Sequence, residues 1–377
     1  MRICYVVLSP TFGMHQYTAD LANHSASASS ILNDHSEISV ITGRNTPGDR
    51  YAPTINLQQV VNISGTGLQH TNTNPRSLQR VYRAILATRP DVVHFTGPHI
   101  WNTPLVLLLR RRRIPVVHTI HDLDPHSGTS YGRLLYLWNH SIVHWADHIL
   151  VHGQKYRERL IAEGQPADRV TWTPLLHLFL SYQAETELQQ SPPRSEFRPT
   201  ALFFARLEYY KGVDILIEAM RQLSDHPACT AVIAGRGDSS KLGNGQIPQN
   251  VEVRNRLIED TEAIELFSSC SVVVLPYRDA TQSALIAAAY FFGKPVIVTR
   301  SGVLPEYVEE DKTGWIVATE NAPELADRLK DAFADPGRLR RMGETGRHWY
   351  QTRRYQERRT VRNMYERLVC QGEPSSG

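Results

Sequence analysis

The chain reads as an α/β protein built from two parallel-sheet halves. Three observations predict this. Short apolar, β-branched runs alternate with helix-length segments along nearly the whole sequence, the rhythm of a parallel sheet covered on both faces. That rhythm breaks once, in the polar, proline-rich stretch Gln189 to Ser195, and then restarts. At 377 residues the chain is also longer than one ordinary core serves.

The elements follow in order. Arg2 to Leu8 reads as a buried first strand, Ile38 to Thr42 as a second, then Val92 to Phe95, Val116 to Ile120 and His148 to His152. Ser77 to Thr88 and Leu134 to Trp145 suit crossover helices. After the break, Thr200 to Phe204, Thr230 to Ala234, Val251 to Arg254, Val272 to Leu275 and Val296 to Val298 read as strands. Val213 to Leu223 and Asp260 to Ser269 read as helices, and the arginine-rich tail from Pro336 is helical. The expected division is a first half over residues 1–185, a linker over 186–199 and a second half over 200–356. A closing helix over about 357–377 is expected to pack back on the first half. Two such halves suggest a cleft between them.

Composition narrows the class. Hydrophobic content of 41% and charged content of 21% describe an ordinary globular protein, and a net charge of +3 is no argument for a nucleic-acid partner. The four cysteines (Cys4, Cys229, Cys270, Cys370) form no CxxC pair, which disfavours a structural zinc or a disulfide framework and fits a reducing compartment. MRICYVVLSP reads as a strand and turn, not a signal peptide, and no run approaches a transmembrane length. The expectation is a cytoplasmic protein, at most peripheral at the inner face of a membrane.

The most informative stretch is Ser271 to Val317. A strand ends in Pro276-Tyr277, a polar loop opens a small-residue helix, Gly293-Lys294-Pro295 ends it, and another strand follows. In parallel α/β sheets ligands bind at the carboxyl ends of strands. The helix start is expected to carry Asp279, Thr281, Gln282 and Ser283, where free N–H groups and the helix dipole favour a phosphate. In FFARLEYYKG, Arg206 lies just past a strand end and Lys211 just before a helix. Two cations there suit a diphosphate, arginine as a fork and lysine as a point charge. A solvated turn is the bland reading, and the phosphate-like loop at Thr281 tips the balance against it. Gly235-Arg236-Gly237-Asp238 is only a GxG and lacks the full dinucleotide fingerprint. As a tight loop beside a nucleotide it is acceptable.

In the first half, Gly13 follows the first strand, where a glycine lets backbone approach a ligand, although a plain turn competes. His121 stands at a strand's carboxyl end, but it is one of sixteen histidines. His118 and His121, three apart on a strand, point to opposite faces and are not read as a zinc pair. Val106 to Leu109 followed by Arg110 to Arg113 reads as a short amphipathic helix with a basic end. A solvated helix end is the bland reading and an anionic membrane surface the sharper one. The tail arginines Arg353, Arg354, Arg358 and Arg359 read as a solvated helix face.

Over nearly its whole length the chain resembles glycosyltransferase family 4, the retaining sugar transferases of the GT-B fold with two Rossmann-like domains facing a central cleft. The carriers are the Gly13 loop, His121-Asp122, FFARLEYYKG, AGRGD and YRDATQSALIAAAYFFGKPVIVTRSGVLPEYVEEDKTGWIV. The last is the most specific and is similar to the branch with ATQS in the loop. The resemblance implies a nucleotide-diphosphate sugar as donor, bound mainly by the second domain, and a saccharide or lipid-linked hydroxyl acceptor. It implies that Arg206 and Lys211 hold the diphosphate and that His121 lies near the reacting sugar. It implies further that Gly13 borders the diphosphate, and that Gly235, Asp279, Thr281, Gln282, Ser283 and Ala284 line the donor site, with backbone N–H groups near Gln282 to Ala284 capping phosphate or sugar. Catalysis of this kind is positioning plus stabilisation of developing charge. No cofactor and no metal are expected, and Asp122-Leu123-Asp124 is read as a chance match to the metal-binding DxD of other sugar transferases, which have a single nucleotide-binding domain where this chain has two α/β halves. Acceptor contacts are expected from loops such as Thr96 to Thr103 and Pro125 to Arg133.

One departure stands out. The family usually carries two glutamates eight residues apart in this loop and helix, and here the positions hold Asp279 and Ala287. Alanine accepts no hydrogen bond from a ribose hydroxyl. The leading expectation is a retaining glycosyltransferase of bacterial cell-surface polysaccharide or glycolipid synthesis. Its rivals are a synthase with a soluble acceptor, a glycosyltransferase-like binding or scaffold protein without catalysis, and, more distantly, a dehydrogenase.

Overall fold

The computed structural model describes residues 1–31, 36–67, 72–123, 132–190, 198–226, 229–242 and 246–372. Asp124, most of the Pro125 to Arg133 loop and residues 191–197 of the linker lie outside them. The chain divides into two compact units, Met1–Glu185 with Tyr355–Gly377, and Thr186–Arg354.

Unit 1 contains β1 (Arg2–Val7), α1 (Phe12–Ile31), β2 (Glu37–Gly43), β3 (Asn56–Val61), α2 (Pro75–Ala87), β4 (Val92–Phe95), α3 (Asn102–Arg110), β5 (Val116–Ile120), α4 (Gly132–Trp145), β6 (His148–Val151), α5 (Gln154–Ala162) and β7 (Val170–Trp172). Its seven strands are ordered β3-β2-β1-β4-β5-β6-β7 and all pairs are parallel. Strands β1, β4, β5 and β6 are buried throughout except at Arg2, which is why they read as continuous apolar runs. Their core includes Val6, Val93, Phe95, Val116 and Ile149. Strand β3 escaped sequence reading because its pattern is mixed and mostly half-exposed, as an edge strand permits. Strand β7 escaped because it is only three residues long.

Helix α6 (Tyr182–Gln190) follows. The linker expected from residue 186 is therefore helical as far as Gln190, and the change of unit falls inside that helix, at Glu185/Thr186. Leu188 is buried, so an apolar anchor overrides a composition that reads as loop.

Unit 2 contains β8 (Thr200–Phe204), α7 (Val213–Gln222), β9 (Thr230–Ala234), β10 (Val251–Arg254), α8 (Asp260–Ser269), β11 (Val272–Leu275), α9 (Leu285–Phe291), β12 (Val296–Thr299), β13 (Gly314–Val317) and α10 (Ala322–Ala334). The order is β10-β9-β8-β11-β12-β13, again all parallel. Winding therefore reverses between β8 and β11, as it does between β1 and β4 in unit 1. Such a switch point opens a crevice at the carboxyl ends of the strands.

Helix α11 (Pro336–Gly372) runs from unit 2 into unit 1. In its unit-1 part Val361, Met364 and Tyr365 are buried. The tail is not uniformly solvated, as the sequence suggested: Arg354 and Glu357 are almost fully buried. Among the described residues no helix is long and apolar enough to cross a membrane.

Candidate active site

In unit 2, Arg206, Lys211 and residues 279–284 follow β8 and β11, the strands that flank the switch point. Beyond β8 the chain passes Arg206, makes a 3-10 turn over Tyr209–Lys211 and enters α7 through Gly212. Gly212 has φ of +63°, and a Cβ there would lie 2.0 Å from the Pro276 carbonyl oxygen. Only glycine lets this basic turn lie against the end of β11. Lys211 Nζ sits 3.8 Å from the ring centroid of Tyr277 and 4.9 Å from that of Tyr210, an aromatic cradle that holds a cation without neutralising it. Arg206 is exposed and pairs with Glu208 at 2.7 Å. A surface pair of this kind is weak and yields to an anion with more charge.

The loop after β11 supplies the facing wall. Its helix starts later than expected: α9 begins at Leu285, so Asp279, Thr281, Gln282 and Ser283 form the loop before it, with Ala284 at the cap. The loop is held rigidly. Thr299 Oγ1 donates to the Tyr277 carbonyl at 2.5 Å, Ala280 N–H donates to Ser301 Oγ at 3.0 Å, and Val303 N–H donates to the Thr281 carbonyl at 3.2 Å. Gly302 has φ of +55°, and a Cβ on it would stand 1.4 Å from the Ala280 carbonyl oxygen. Thr281 and Ser283 are buried, and Ser283 Oγ accepts from Leu285 N–H at 3.4 Å. The backbone N–H groups of Ser283 and Ala284 make no hydrogen bond to a described residue. Unspent donors ahead of a helix favour an anion.

Gly235 ends β9 with φ of +147°, and a Cβ there would meet the Ala205 carbonyl oxygen at 1.9 Å. Packing of the two strand ends therefore accounts for this glycine by itself. Ala287 and Ala288 are both fully buried in α9.

In unit 1, Gly13 is the second residue of α1, and a Cβ there would meet nothing within 4 Å. No neighbour in the chain demands glycine at this place. His121 follows β5 and is buried, with Nε2 2.9 Å from the Thr96 carbonyl oxygen. A carbonyl only accepts, so the hydrogen of the neutral ring is assigned to Nε2. Burial pulls the His121 pKa below its ordinary value, against the opposing effects of the Thr96 bond and Asp122. Tyr17 meets the ring edge-on at 4.8 Å, and His152 lies at 5.0 Å. His118 points elsewhere: its Nε2 is 2.9 Å from Asn102 Nδ2, and its ring stacks on Phe95.

Sequence reading missed the supports: Tyr210 and Tyr277 around Lys211, Ser301 and Gly302 beneath the loop, and Tyr17 and His152 around His121. Ser301-Gly302 directly after a strand was a readable turn signal. The aromatic cradle was not, since a tyrosine near a lysine in sequence predicts no geometry. As for metals, Asp20, His24 and Glu185 bring one ligand atom each within 4.8 Å of one another. His24 Nδ1 lies 2.8 Å from the Asp20 carbonyl oxygen and 3.6 Å from its carboxylate, so a local contact within α1 already accounts for two of the three.

Two parallel-sheet units with phosphate-suited loops at a switch point define a class of nucleotide-binding α/β proteins. Comparison with known families narrows it. Residues 184–349 match the model of glycosyl transferases group 1, and residues 12–175 match that of the glycosyl transferase 4-like domain. The chain belongs to the family 4 glycosyltransferases of the GT-B fold. It is 26% identical over 260 residues to an alpha-D-kanosaminyltransferase of Streptomyces kanamyceticus, covering 63% of this chain and 66% of that protein's length. It is 24% identical over 311 residues to a GDP-mannose:glycolipid 4-beta-D-mannosyltransferase of Xanthomonas campestris pv. campestris, covering 73% and 84%. A solved sucrose-phosphate synthase from Thermosynechococcus elongatus shares the fold, with a TM-score of 0.74, 18% identity and coverage of 98% and 100%.

Proposed function

We propose that the protein transfers a sugar from a nucleotide-diphosphate sugar to a hydroxyl acceptor with retention of configuration. One observation carries the reading. Arg206, Lys211 and the donor-rich 279–284 loop converge at the β8/β11 switch point, where two cations and unspent N–H groups suit a diphosphate. Family membership supports the reaction class. The transferase from Xanthomonas campestris pv. campestris, named for a GDP-mannose donor and a glycolipid acceptor, supports a role in glycolipid or polysaccharide synthesis.

In this reading Lys211 leaves its tyrosine cradle for the phosphate, and Arg206 exchanges Glu208 for phosphate oxygens. Both then stabilise the charge that grows on the leaving diphosphate. The N–H groups of Ser283 and Ala284 cap phosphate or sugar, and Thr281, Gln282 and Asp279 line the same wall. The departing phosphate takes the acceptor proton, so no protein nucleophile is required. Neutral His121 presents a hydrogen-bonding ring to the sugar, and Gly13 leaves room for the diphosphate. No resident metal or cofactor enters this scheme. Exposed Arg110, Arg111 and Arg112, the first bonded to the carbonyl of exposed Trp145, suit contact with an anionic membrane surface.

A binding protein without catalysis is the second reading, and Ala287 favours it. Thermal stabilisation across UDP, GDP, ADP and dTDP finds the base. Hydrolysis or transfer from the matching sugar nucleotides then separates the two readings. Binding without turnover on a broad acceptor set would leave the second standing, and no stabilisation by any diphosphate would refute both.

A further inference from the structure

Arg278 is a heavily engaged side chain near the proposed diphosphate site, and no step above uses it. It follows Tyr277 in the loop after β11. Its Nη1 and Nη2 grip the two carboxylate oxygens of Asp214, in the first turn of α7, each at 2.7 Å. Its Nε donates to Glu320 at 2.9 Å, just before α10. Nη1 also donates to the Tyr209 carbonyl at 2.9 Å, and the Arg278 backbone N–H donates to the Tyr210 carbonyl at 2.8 Å. The guanidinium carbon lies 4.2 Å from the Tyr209 ring centroid. One residue thus ties the turn that ends in Lys211 to the loop that runs into Asp279 and Ala280.

Two features separate this from an ordinary surface ion pair. The Arg278 side chain is only 14% exposed, so solvent screens it less than the median salt bridge. Its contacts are also directional. A bidentate fork on Asp214 fixes the guanidinium plane, and that plane fixes the Tyr209 carbonyl. With Gly212 pressed against Pro276 from below, the backbone on both sides of Lys211 is held from two directions.

We propose that Arg278 is a positioning residue for the diphosphate: it sets the backbone of the turn that carries Lys211 and the 279–284 loop in one geometry before the ligand arrives. Asp214 and Glu320 are its anchors and touch no ligand themselves. A site kept within a fraction of an ångström needs such a supporting layer, and preorganised charge is what stabilises a leaving diphosphate. This inference rests on the donor reading above, since it concerns the same loops. It also makes Asp214 part of donor recognition through a chain of contacts that begins on α7.

A double-mutant cycle tests it, with the tightest-binding of UDP, GDP, ADP and dTDP as the probe. Dissociation constants are measured for the wild type, Arg278→Gln, Lys211→Ala and the double variant, beside circular dichroism and melting temperature. Arg278→Gln is expected to weaken binding at least tenfold while the fold persists, and Arg278→Lys to restore little, because an ammonium cannot fork. The two losses are expected to be non-additive, the double variant binding more tightly than the product of the single losses predicts, because part of the Arg278 effect acts through Lys211 and the rest through the 279–284 loop. Hydrogen exchange should quicken at residues 209–212 and 279–284 in Arg278→Gln. If Arg278→Gln is folded and binds like wild type, or if the losses simply multiply, the positioning role is wrong although the donor reading stands. If the wild type binds none of the four diphosphates, the donor reading has failed first. Should Arg278→Gln not fold, Asp214→Asn, which weakens the same fork, must give the same non-additive loss or the proposal falls.

Discussion

The hydroxyl of Tyr365, in the last helix, lies 2.6 Å from Nδ1 of His94, 271 residues earlier in the chain. Both groups are fully buried, and the chain of contacts continues. His94 Nε2 is 2.7 Å from Thr119 Oγ1, Tyr17 Oη is 3.1 Å from the same hydroxyl, and Tyr365 donates to Tyr5 at 3.2 Å. Helix α11 is thereby part of the polar interior of unit 1. Tyr365→Phe should leave His94 Nδ1 without a partner and lower the unfolding free energy by about 1–3 kcal/mol. Urea denaturation of the purified variant reads this, and nucleotide affinity in unit 2 should not change.

Two glycines should respond in opposite ways to one methyl group. Gly302→Ala forces a side chain into a positive-φ position 1.4 Å from a carbonyl oxygen and should destabilise by more than about 1 kcal/mol. Gly13→Ala enters open space inside the first turn of α1 and should stabilise by up to about 1 kcal/mol through helix propensity. If Gly13 borders the diphosphate, the same variant should lose turnover. Melting temperature beside transfer rate distinguishes packing from ligand clearance.

Acid should unfold unit 1 before unit 2. Burial lowers the pKa of His99 and His148 to about 4 and that of His118 to about 3, against an ordinary 6.5. Above 6.5 neither folded nor unfolded chain binds these protons, and the contribution is complete. Below 6.5 the unfolded chain takes up protons that the folded rings refuse. Stability then falls between 6.5 and 4, by up to about 1.4 kcal/mol per pH unit for each ring. Unit 2 holds two of the sixteen histidines, His226 and His348. Calorimetry at pH 7.5, 6.0 and 5.0 should show the unit-1 transition moving down faster. Parallel shifts would contradict the assignment.

Lys211→Ala should cost one charge-assisted contact to phosphate, about 1.5–3 kcal/mol, or roughly ten- to a hundredfold in diphosphate affinity. Its side chain rests on tyrosine rings and bridges no carboxylate among the described residues, so melting temperature should barely move. Titration calorimetry with the preferred diphosphate checks both statements, and unchanged affinity would remove Lys211 from the site.

Legibility in the sequence followed burial. Strands β4, β5, β8, β9 and β11 fall where their apolar runs were read, because a strand covered on both faces has little freedom in composition, whereas the half-exposed edge strand β10 was legible from its alternating valines alone. Edge strand β3 and short β7 carry no such constraint. Helix α6 was hidden by a polar composition. The late start of α9 was hidden because ATQSA suits a helix cap and a loop equally well.

The sequence alone determined the two-unit α/β class and the family and singled out the loops after β8 and β11, since all of these are written in local runs and spacings. Only the tertiary structure decided what holds those loops in place. The Gly302 approach to Ala280, the Arg278 grip on Asp214 and the tyrosine cradle of Lys211 join residues that lie 22, 64 and 66 positions apart. The buried hydroxyl of Tyr365 likewise waits for a histidine from the other end of the chain. Contacts of this kind follow from where parallel strands end relative to one another, and no local pattern of residues encodes that distance.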